Sequence, residues 1–246
     1  MDRMLYVAMT GARETLKAQT ANNHNLANAS TVGFRADLAA FQARQVVGDG
    51  FESRVYATAS TTGFDDTVGA IMQTGRDLDV TVQGEGYIAV QGANGREAYT
   101  RAGDLRVDNA GQLRTGTGLA VLGDGGPIAV PPHNSLLVGG DGTISIVPLG
   151  QGPETRAEVG RIKLVNPATE DLVKGADGLF RMRDGSDAAP DASARLSSGA
   201  LEGSNVNVAD AMVTMIELAR RFDLQVRAMR SAEDNGAASA RLLSFR

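Results

Sequence analysis

Apolar residues recur in steps of three and four near both ends of the chain. Toward the N-terminus this pattern comprises Leu5, Met9, Ala12, Leu16, Gln19, Asn23 and Leu26. Such spacing is typical of a heptad seam along one face of a helix. It predicts an N-terminal helix of about 27 residues, which would be roughly 40 Å long. Its seam is apolar at first and carries amides toward its end.

The C-terminal pattern repeats this design and comprises Val208, Ala211, Met215, Leu218, Phe222, Gln225, Met229 and Ala232. Asn205 or Asn207 is expected to cap the start of this second helix, because short amide side chains accept hydrogen bonds from free helical N–H groups. Two interpretations stay open. The seams either pair the helices with each other or with copies of the chain, or they are ordinary core-facing stripes.

Between the helices the pattern changes to short apolar runs separated by turn residues. Turn signals occur at 94–95, 108–111, 141–142 and 177–178, where Asn or Asp precedes Gly. Signals of this kind close β-hairpins. No helical period separates the runs, which favours an antiparallel sheet over βαβ units. The predicted fold class is α+β, with N- and C-terminal helices pairing as a coiled-coil-like domain and an inserted antiparallel all-β domain.

The same pattern predicts the domain organisation. Residues 1–34 and 203–246 are expected to form one discontinuous helical domain, and residues 75–202 a β-rich domain. Residues 35–74 show little clear period. We expect them to be an extended connector with one short strand pair.

Composition and charge exclude several classes of protein. The net charge is −5 and the basic residues are scattered, whereas nucleic-acid-binding domains usually carry a basic stripe. The absence of cysteine excludes disulfides and thiolate chemistry. No stretch reaches the ~18 apolar residues of a membrane helix, and the N-terminus lacks the cleavage pattern of a secretory signal. We therefore expect no nucleic-acid partner, no membrane span and no cleaved signal peptide.

Few residues are candidates for chemistry. The only histidines are His24 and His133, and no Gly-x-Ser-x-Gly nucleophile elbow is present. Asp77 and Asp79 share one face if they lie on a strand, but nothing indicates the cleft that paired catalytic carboxylates need. We predict that the protein is not an enzyme and has no catalytic, cofactor-binding or metal site. The alternative from another class is a small β-domain enzyme or binding protein with helical extensions.

Four sequence blocks carry a family resemblance. Residues 22–37 read NNHNLANASTVGFRAD, and three further blocks follow in order: TGRDLDVTVQGEGYIAV, YTRAGDLRVDNAGQL and LEGSNVNVADAMVTMIELARRFDLQVRAM. Together they resemble the flagellar basal-body rod family, which consists of flagellar axial rod and hook proteins. The short connector after Phe34, the compact chain and the motif LARRFDLQ are most similar to the proximal rod subunits.

The resemblance implies a structural role. Such subunits pass through the flagellar export apparatus without signal cleavage and assemble helically in the periplasmic rod of the basal body. Their implied partners are other rod subunits and copies of the same chain, and the assembly transmits motor torque to the hook. In this arrangement the terminal helices line the inner tube and the β domain is the outer layer. A distal rod or hook-type axial subunit is the alternative within the family.

The residues expected at subunit contacts belong to the two seams and to the matching motifs. They are Leu5, Met9, Leu16, Gln19, Asn23, Asn25, Leu26, Asn28, Thr31, Gly33, Phe34, Ser204, Asn205, Val206, Met215, Leu218, Phe222, Gln225 and Met229. Polar residues within a heptad seam lower stability but fix alignment. We expect Gln19, Asn23 and Gln225 to set the register in this way.

The amide-rich end of the first helix carries further expectations. Asn25 and Asn28 lie toward another helix face and are expected to reach a neighbouring subunit. Gly33 is expected to end the helix in a backbone geometry that is costly for other residues. Phe34 is expected to anchor the emerging chain, and His24 to play no chemical part.

Overall fold

The computed structural model describes residues 2–45, 55–152 and 154–244 and has an α+β fold. Helix α1 spans Asp2–Ala27 and helix α2 spans Val208–Ser244. α1 has the length that its heptad spacing predicts. Among the described residues, neither helix combines the length and the apolar character that a membrane crossing requires.

The region between the helices is rich in short strands. In chain order they are β1 (Asp37–Gln45), β2 (Val55–Phe64), β3 (Ile71–Gln73), β4 (Val80–Gln83), β5 (Tyr87–Gln91), β6 (Glu97–Thr100), β7 (Leu105–Val107), β8 (Leu113–Thr115), β9 (Leu122–Gly123), β10 (Gly126–Pro127), β11 (His133–Val138), β12 (Thr143–Pro148), β13 (Ala157–Arg161), β14 (Leu164–Val165), β15 (Leu172–Lys174), β16 (Phe180–Met182), β17 (Arg195–Ser198) and β18 (Ala200–Glu202). A 3-10 turn, Thr169–Asp171, precedes β15.

One compact unit is built from both helices and the β1–β2 hairpin. The two helices pack against each other in antiparallel directions. Asn22 Nδ2 donates to the carbonyl of Ala211 at 2.8 Å, while Gly11, three turns earlier on α1, faces the side chain of Gln225 further along α2. We call this the helical unit.

Residues 35–74 contain the expected strand pair, but its strands are nine and ten residues long rather than short. The pair belongs to the helical unit. The antiparallel ladder runs from the pair Asp37–Phe64 to the pair Gln45–Val55, and α1 packs on both strands. Residues 46–54, which connect these two strands, lie outside the described residues.

The second compact unit comprises Ser30–Arg35 and Asp66–Asn205, and we call it the β-rich unit. Its largest sheet has the antiparallel order β14-β5-β6-β16-β15, and a three-stranded sheet has the order β11-β12-β13. Fully buried Ile88, Leu105 and Ile144 belong to one continuous apolar core. Inward-facing positions on many short strands therefore supply this core.

All four predicted turn signals close hairpins. They connect β5 with β6, β7 with β8, β11 with β12, and β15 with β16. In the second of these turns the carboxylate of Asp108 accepts the backbone N–H groups of Gln112 at 2.8 Å and Ala110 at 2.9 Å. The hydrogen bond from Gln112, followed by that from Arg114, holds the pKa of Asp108 below its ordinary value. Asp is thus the residue that pre-forms this turn.

The helix ends differ in part from expectation. Asn207 caps α2, since its Oδ1 accepts the N–H of Ala209 at 3.0 Å. α1 ends at Ala27, and residues 28–33 form turns, so the prediction that Gly33 ends the helix is wrong. Directly after Ala27, the carbonyl of His24 accepts both the backbone N–H of Asn28 at 3.2 Å and Asn28 Nδ2 at 2.9 Å.

Candidate functional site

The face of α1 that packs inside the helical unit is built of small residues. Glu14 is also buried on α1. The row along this face consists of Ala8, Ala12, Thr15, Ala18 and Asn22. They recur in steps of three and four, and Asn22 hydrogen-bonds α2 directly. Small side chains allow two helices to approach closely, because the interaxial distance depends on the side chains at the contact. This buried row shares only Ala12 with the predicted seam.

On α2 the predicted seam coincides with the inward face. Three of its residues are buried, namely Ala211, Leu218 and Ala232. Four more are half-buried, namely Met215, Phe222, Gln225 and Met229. Val208, at the helix start, is 41% exposed. The spacing therefore identified the packed face of α2 correctly from Ala211 onward.

Apart from Ala12, the predicted seam of α1 lies outside this buried row and is partly exposed. Met9 is 50% exposed and Leu16 is 47% exposed, while Asn23 is exposed and Leu5, Gln19 and Leu26 are half-buried. We call Leu5, Met9, Leu16, Gln19 and Asn23 the outer row of α1. Contiguous exposed apolar residues on a soluble protein commonly mark contact sites.

Large apolar side chains are also exposed on α2. They are Met212, Val213, Ile216, Leu224 and Leu242, each more than half exposed. In helical projection they lie away from the face that contains Ala211 and Leu218. The helical unit therefore presents apolar surface on both of its helices.

The amides at the end of α1 have partners within the chain. Asn22 contacts α2, as described above, and Asn28 caps the carbonyl of His24. Asn25 Nδ2 donates to the carbonyl of Asp37 at 2.9 Å, and Asn25 Oδ1 accepts the N–H of Asp37 at 2.7 Å. Contacts of Asn25 and Asn28 with a neighbouring subunit remain a prediction.

The two histidines make local contacts. His24 Nδ1 lies 2.6 Å from Asp37 Oδ2, and His133 Nδ1 lies 2.9 Å from the carbonyl oxygen of Pro131. Over the described ranges no three His, Cys, Asp or Glu side chains are grouped as a metal ion would require. Asp79 is buried and pairs with Arg76 at 3.2 Å, which is a structural role.

The segment after α1 is tightly packed within the β-rich unit. Gly33 has φ of +67°, and a Cβ there would lie 2.3–2.5 Å from backbone atoms of Arg101 and Ala102. The geometry is thus costly for other residues, as predicted, because of both the left-handed φ and this close approach. Phe34 is buried, and Lys174 Nζ lies 3.9 Å from its ring centroid. Thr31 is exposed.

The segment before α2 meets this same region. Asn205 N–H donates to the carbonyl of Phe34 at 3.3 Å, and Asn205 Nδ2 donates to the carbonyl of Thr67 at 3.1 Å. Ser204 and Val206, on either side, are half-buried. Asn205 therefore joins two chain segments of the β-rich unit.

A buried charge cluster lies beneath these segments and was not found from the sequence. Glu202 Oε1 lies 2.5 Å from Arg35 Nη1, and Glu202 Oε2 lies 3.2 Å from Arg101 Nε. The side chains of Arg35 and Glu202 are 0% exposed and that of Arg101 is 3% exposed. Burial lowers the pKa of the Arg101 guanidinium, and Glu202 opposes that shift. The partners are far apart in sequence, so no local pattern announces them.

Asp66 and Tyr87 extend this cluster. The Tyr87 hydroxyl donates to Asp66 Oδ1 at 2.9 Å, and the Thr169 hydroxyl donates to Asp66 Oδ2 at 2.7 Å. Arg35 Nε lies 3.9 Å from Asp66 Oδ1. Burial, and then the charge of Asp66, raise the pKa of Tyr87 well above its ordinary value. Two arginines thus face two carboxylates.

Two family models match the chain. The model described as the flagellar hook protein FlgE/F/G D1 domain matches residues 81–146. The model described as the flagellar basal body rod FlgEFG protein C-terminal matches residues 197–242. The second match contains Glu202 and the exposed apolar residues of α2.

Curated relatives align over the whole chain. The identity is 44% to the flagellar basal-body rod protein FlgF of Salmonella typhimurium and 45% to FlgF of Escherichia coli K12, with 100% of both chains covered in each case. The flagellar basal-body rod protein FlgG of Bacillus subtilis is 30% identical over 95% of this chain and 96% of the relative.

Proposed function

This chain belongs to the flagellar basal-body rod protein family that includes FlgF, and we propose that it assembles helically with copies of itself and with other rod subunits to transmit motor torque to the hook. It is a structural subunit of the rod. We propose that this work needs no catalytic site, cofactor or metal. The family relationship and the surface of the helical unit support these points.

The observation that carries the proposal is the division of α1 into two rows. The small residues around Ala12 and Ala18 pack inside the unit, while Met9 and Leu16 remain outside with heptad spacing. A second helix from another subunit is the partner that such spacing accepts, through knobs-into-holes packing. We propose coiled-coil-like contacts between subunits at the outer row, where Gln19 and Asn23 set the register.

Head-to-tail contacts that do not close on themselves generate helical filaments. The outer row of α1 and the exposed residues Met212 and Ile216 of α2 are different surfaces, which suits such a heterologous contact. We propose that residues 1–34 and 203–246 form the rod core and that residues 75–202 lie outside it. Many repeated contacts of this kind resist shear along the rod.

We also propose that the chain reaches the periplasmic rod through the flagellar export apparatus with its N-terminus intact. Mass spectrometry of the subunit from purified basal bodies should then find the uncleaved chain of 25.6 kDa. Recovery of a shortened N-terminus would contradict this route.

A distal rod or hook-type role is the second candidate, because this chain is also 30% identical to another rod protein, FlgG, over most of both chains. Cryo-microscopy of basal bodies that carry a density tag on this subunit separates the two candidates. Density next to the membrane-proximal end supports the proximal role, and density near the hook supports the distal one.

Deletion of the gene tests the structural role itself. Cells without it should lose flagella, the full chain should restore them, and a chain that lacks residues 5–26 should not. Flagella that persist without the gene, or that return with the shortened chain, would contradict the proposal.

A further inference from the structure

Three stretches of the β-rich unit continue directly into the helical unit along the chain. They are residues 30–35, residues 66–69 and residues 202–205. Segments that link compact units are commonly exposed and mobile, with few contacts across them. Here all three are bonded to one another, so they form what we call the junction cluster.

Glu202 belongs to the third stretch and makes bonds to both of the others. Its carboxylate pairs with Arg35 and accepts the backbone N–H of Gly69 at 3.1 Å. Its own backbone carbonyl accepts the N–H of Gly33 at 2.8 Å. Glu202, a buried residue of the third stretch, is thus bonded to both of the other stretches.

Arg35 and Arg101, which pair with Glu202, also donate hydrogen bonds to backbone carbonyls. Arg35 Nη1 donates to the carbonyl of Thr67 at 2.6 Å. Arg101 Nη1 and Nη2 donate to the carbonyls of Gly86 at 2.8 Å and Gly84 at 2.7 Å, which ties the cluster to the turn before β5. The junction cluster is therefore anchored in the main sheet.

The backbone is packed too closely at these points for larger residues. A Cβ on Gly69 would lie 2.1 Å from the carbonyl oxygen of Gly203, and the Gly203 N–H donates to the carbonyl of Ala70 at 2.8 Å. Gly33 approaches Arg101 in the same way. The chain thus uses glycine where stretches of the junction cluster meet.

We propose that Glu202 is a positioning residue that fastens residues 30–35, 66–69 and 202–205 to one another, so that every connection leaving the β-rich unit starts from one rigid base. A buried carboxylate suits this role, because its bonds are directional and removal of one buried partner leaves the other charges uncompensated. Force that enters through any one of the three stretches is then shared by all three. The link to torque rests on the proposed function, whereas the fastening itself does not.

Amide hydrogen exchange on the purified full-length chain tests the fastening. In Glu202→Gln, exchange of the Gly33 and Gly69 amides should rise about tenfold or more, while the core amide of Ile88 changes little. Glu97→Gln is the matched control, because Glu97 forms a largely buried pair with Lys163 at 2.8 Å away from the junction cluster. This control should leave Gly33 and Gly69 unchanged.

Two results would overturn the proposal: an equal rise in exchange at Gly33, Gly69 and Ile88, or no rise at all. If Glu202→Gln does not fold, Asp66→Asn serves instead, since Asp66 is 38% exposed at the edge of the cluster. It should raise exchange at residues 66–69 and 33–35 alone, and an unchanged pattern would equally overturn the fastening.

The consequence for torque is measured separately in cells. A strain that carries Glu202→Gln should lose proportionally more swimming speed in viscous medium than in dilute medium, and equal losses would overturn the role under load. If the unsubstituted chain restores no flagella to a deletion strain while Glu202→Gln shows the expected exchange pattern, the proposed function is overturned and the fastening stays intact.

Discussion

The side chain of Asn25 is hydrogen-bonded to both backbone groups of Asp37. Its Nδ2 donates to the Asp37 carbonyl at 2.9 Å, and its Oδ1 accepts the Asp37 N–H at 2.7 Å. A side-chain amide thereby replaces the partner that a neighbouring strand would supply. The beginning of β1 is fixed to the end of α1 by this two-point contact.

Replacement of Asn25 by Ala should therefore destabilise the helical unit. Two hydrogen bonds disappear and two backbone groups of Asp37 lose their partner, so the expected loss is about 1–3 kcal/mol of unfolding free energy. Chemical denaturation followed by the helical circular dichroism signal measures it. Asn23→Ala is the control, because Asn23 is exposed and should change stability by less than about 0.5 kcal/mol. Equal losses for both variants would contradict this role of Asn25.

Gly33 and Gly95 allow the cost of a left-handed backbone to be separated from the cost of steric overlap. Their φ angles are similar, +67° and +76°, but a Cβ on Gly95 meets nothing within 4 Å. Gly95→Ala should cost about 1–2 kcal/mol, from the left-handed backbone alone. Gly33→Ala should cost more than about 4 kcal/mol, because a Cβ there overlaps the Arg101 backbone, and it should abolish motility. Similar unfolding free energies for the two variants would show that the overlap is relieved.

Substitutions in the two rows of α1 should have different effects, on assembly for the outer row and on monomer stability for the buried row. Leu16→Asp should change monomer stability by less than about 0.5 kcal/mol, since Leu16 is 47% exposed, but it should prevent flagellar assembly. Ala18→Leu should cost about 1–3 kcal/mol by overpacking the buried row. Denaturation of the purified chains and electron microscopy of complemented cells give both readouts. Normal flagella with Leu16→Asp would contradict the interface proposed for the outer row.

The raised pKa of Tyr87 leads us to expect that the folded chain loses stability at alkaline pH. This pKa is raised in the folded chain, chiefly by burial, so folded protein keeps a proton that unfolded protein releases above about pH 10. The stabilising contribution is therefore complete below about pH 10 and is lost as the pH rises beyond it. Tyr87→Phe should reduce the alkaline slope of the unfolding free energy by about 1.4 kcal/mol per pH unit. Denaturation at a series of pH values measures this, and an unchanged slope would contradict it.

Local rules account for the elements that sequence reasoning found. The Asp-Gly and Asn-Gly turns closed the expected hairpins because their signals act within four residues, as the carboxylate of Asp108 shows. The α2 seam was placed correctly for a similar reason, since Ala211 and Leu218 mark its buried face by spacing alone. The end of α1 was misplaced because turn residues fill the whole stretch from Asn28 to Gly33.

Long-range contacts account for what was missed. Arg35, Arg101 and Glu202 each look like ordinary charged residues in their own segments. Only the folded chain brings Arg35 to 2.5 Å and Arg101 to 3.2 Å from Glu202. The same applies to Asn22 and Asn23. Both carry the same side chain on α1, and only the position of α2 decides that Asn22 is buried.

The sequence by itself determined the two terminal helices, the hairpin-rich middle and the family, because helical periodicity, turn chemistry and ordered motifs are written in consecutive residues. Tertiary structure alone decided which row of α1 is buried, since heptad spacing does not distinguish close packing of Ala18 from outward exposure of Leu16. It also decided that Glu202 joins three distant stretches of chain, because a buried ion pair is specified by the meeting of its partners in space.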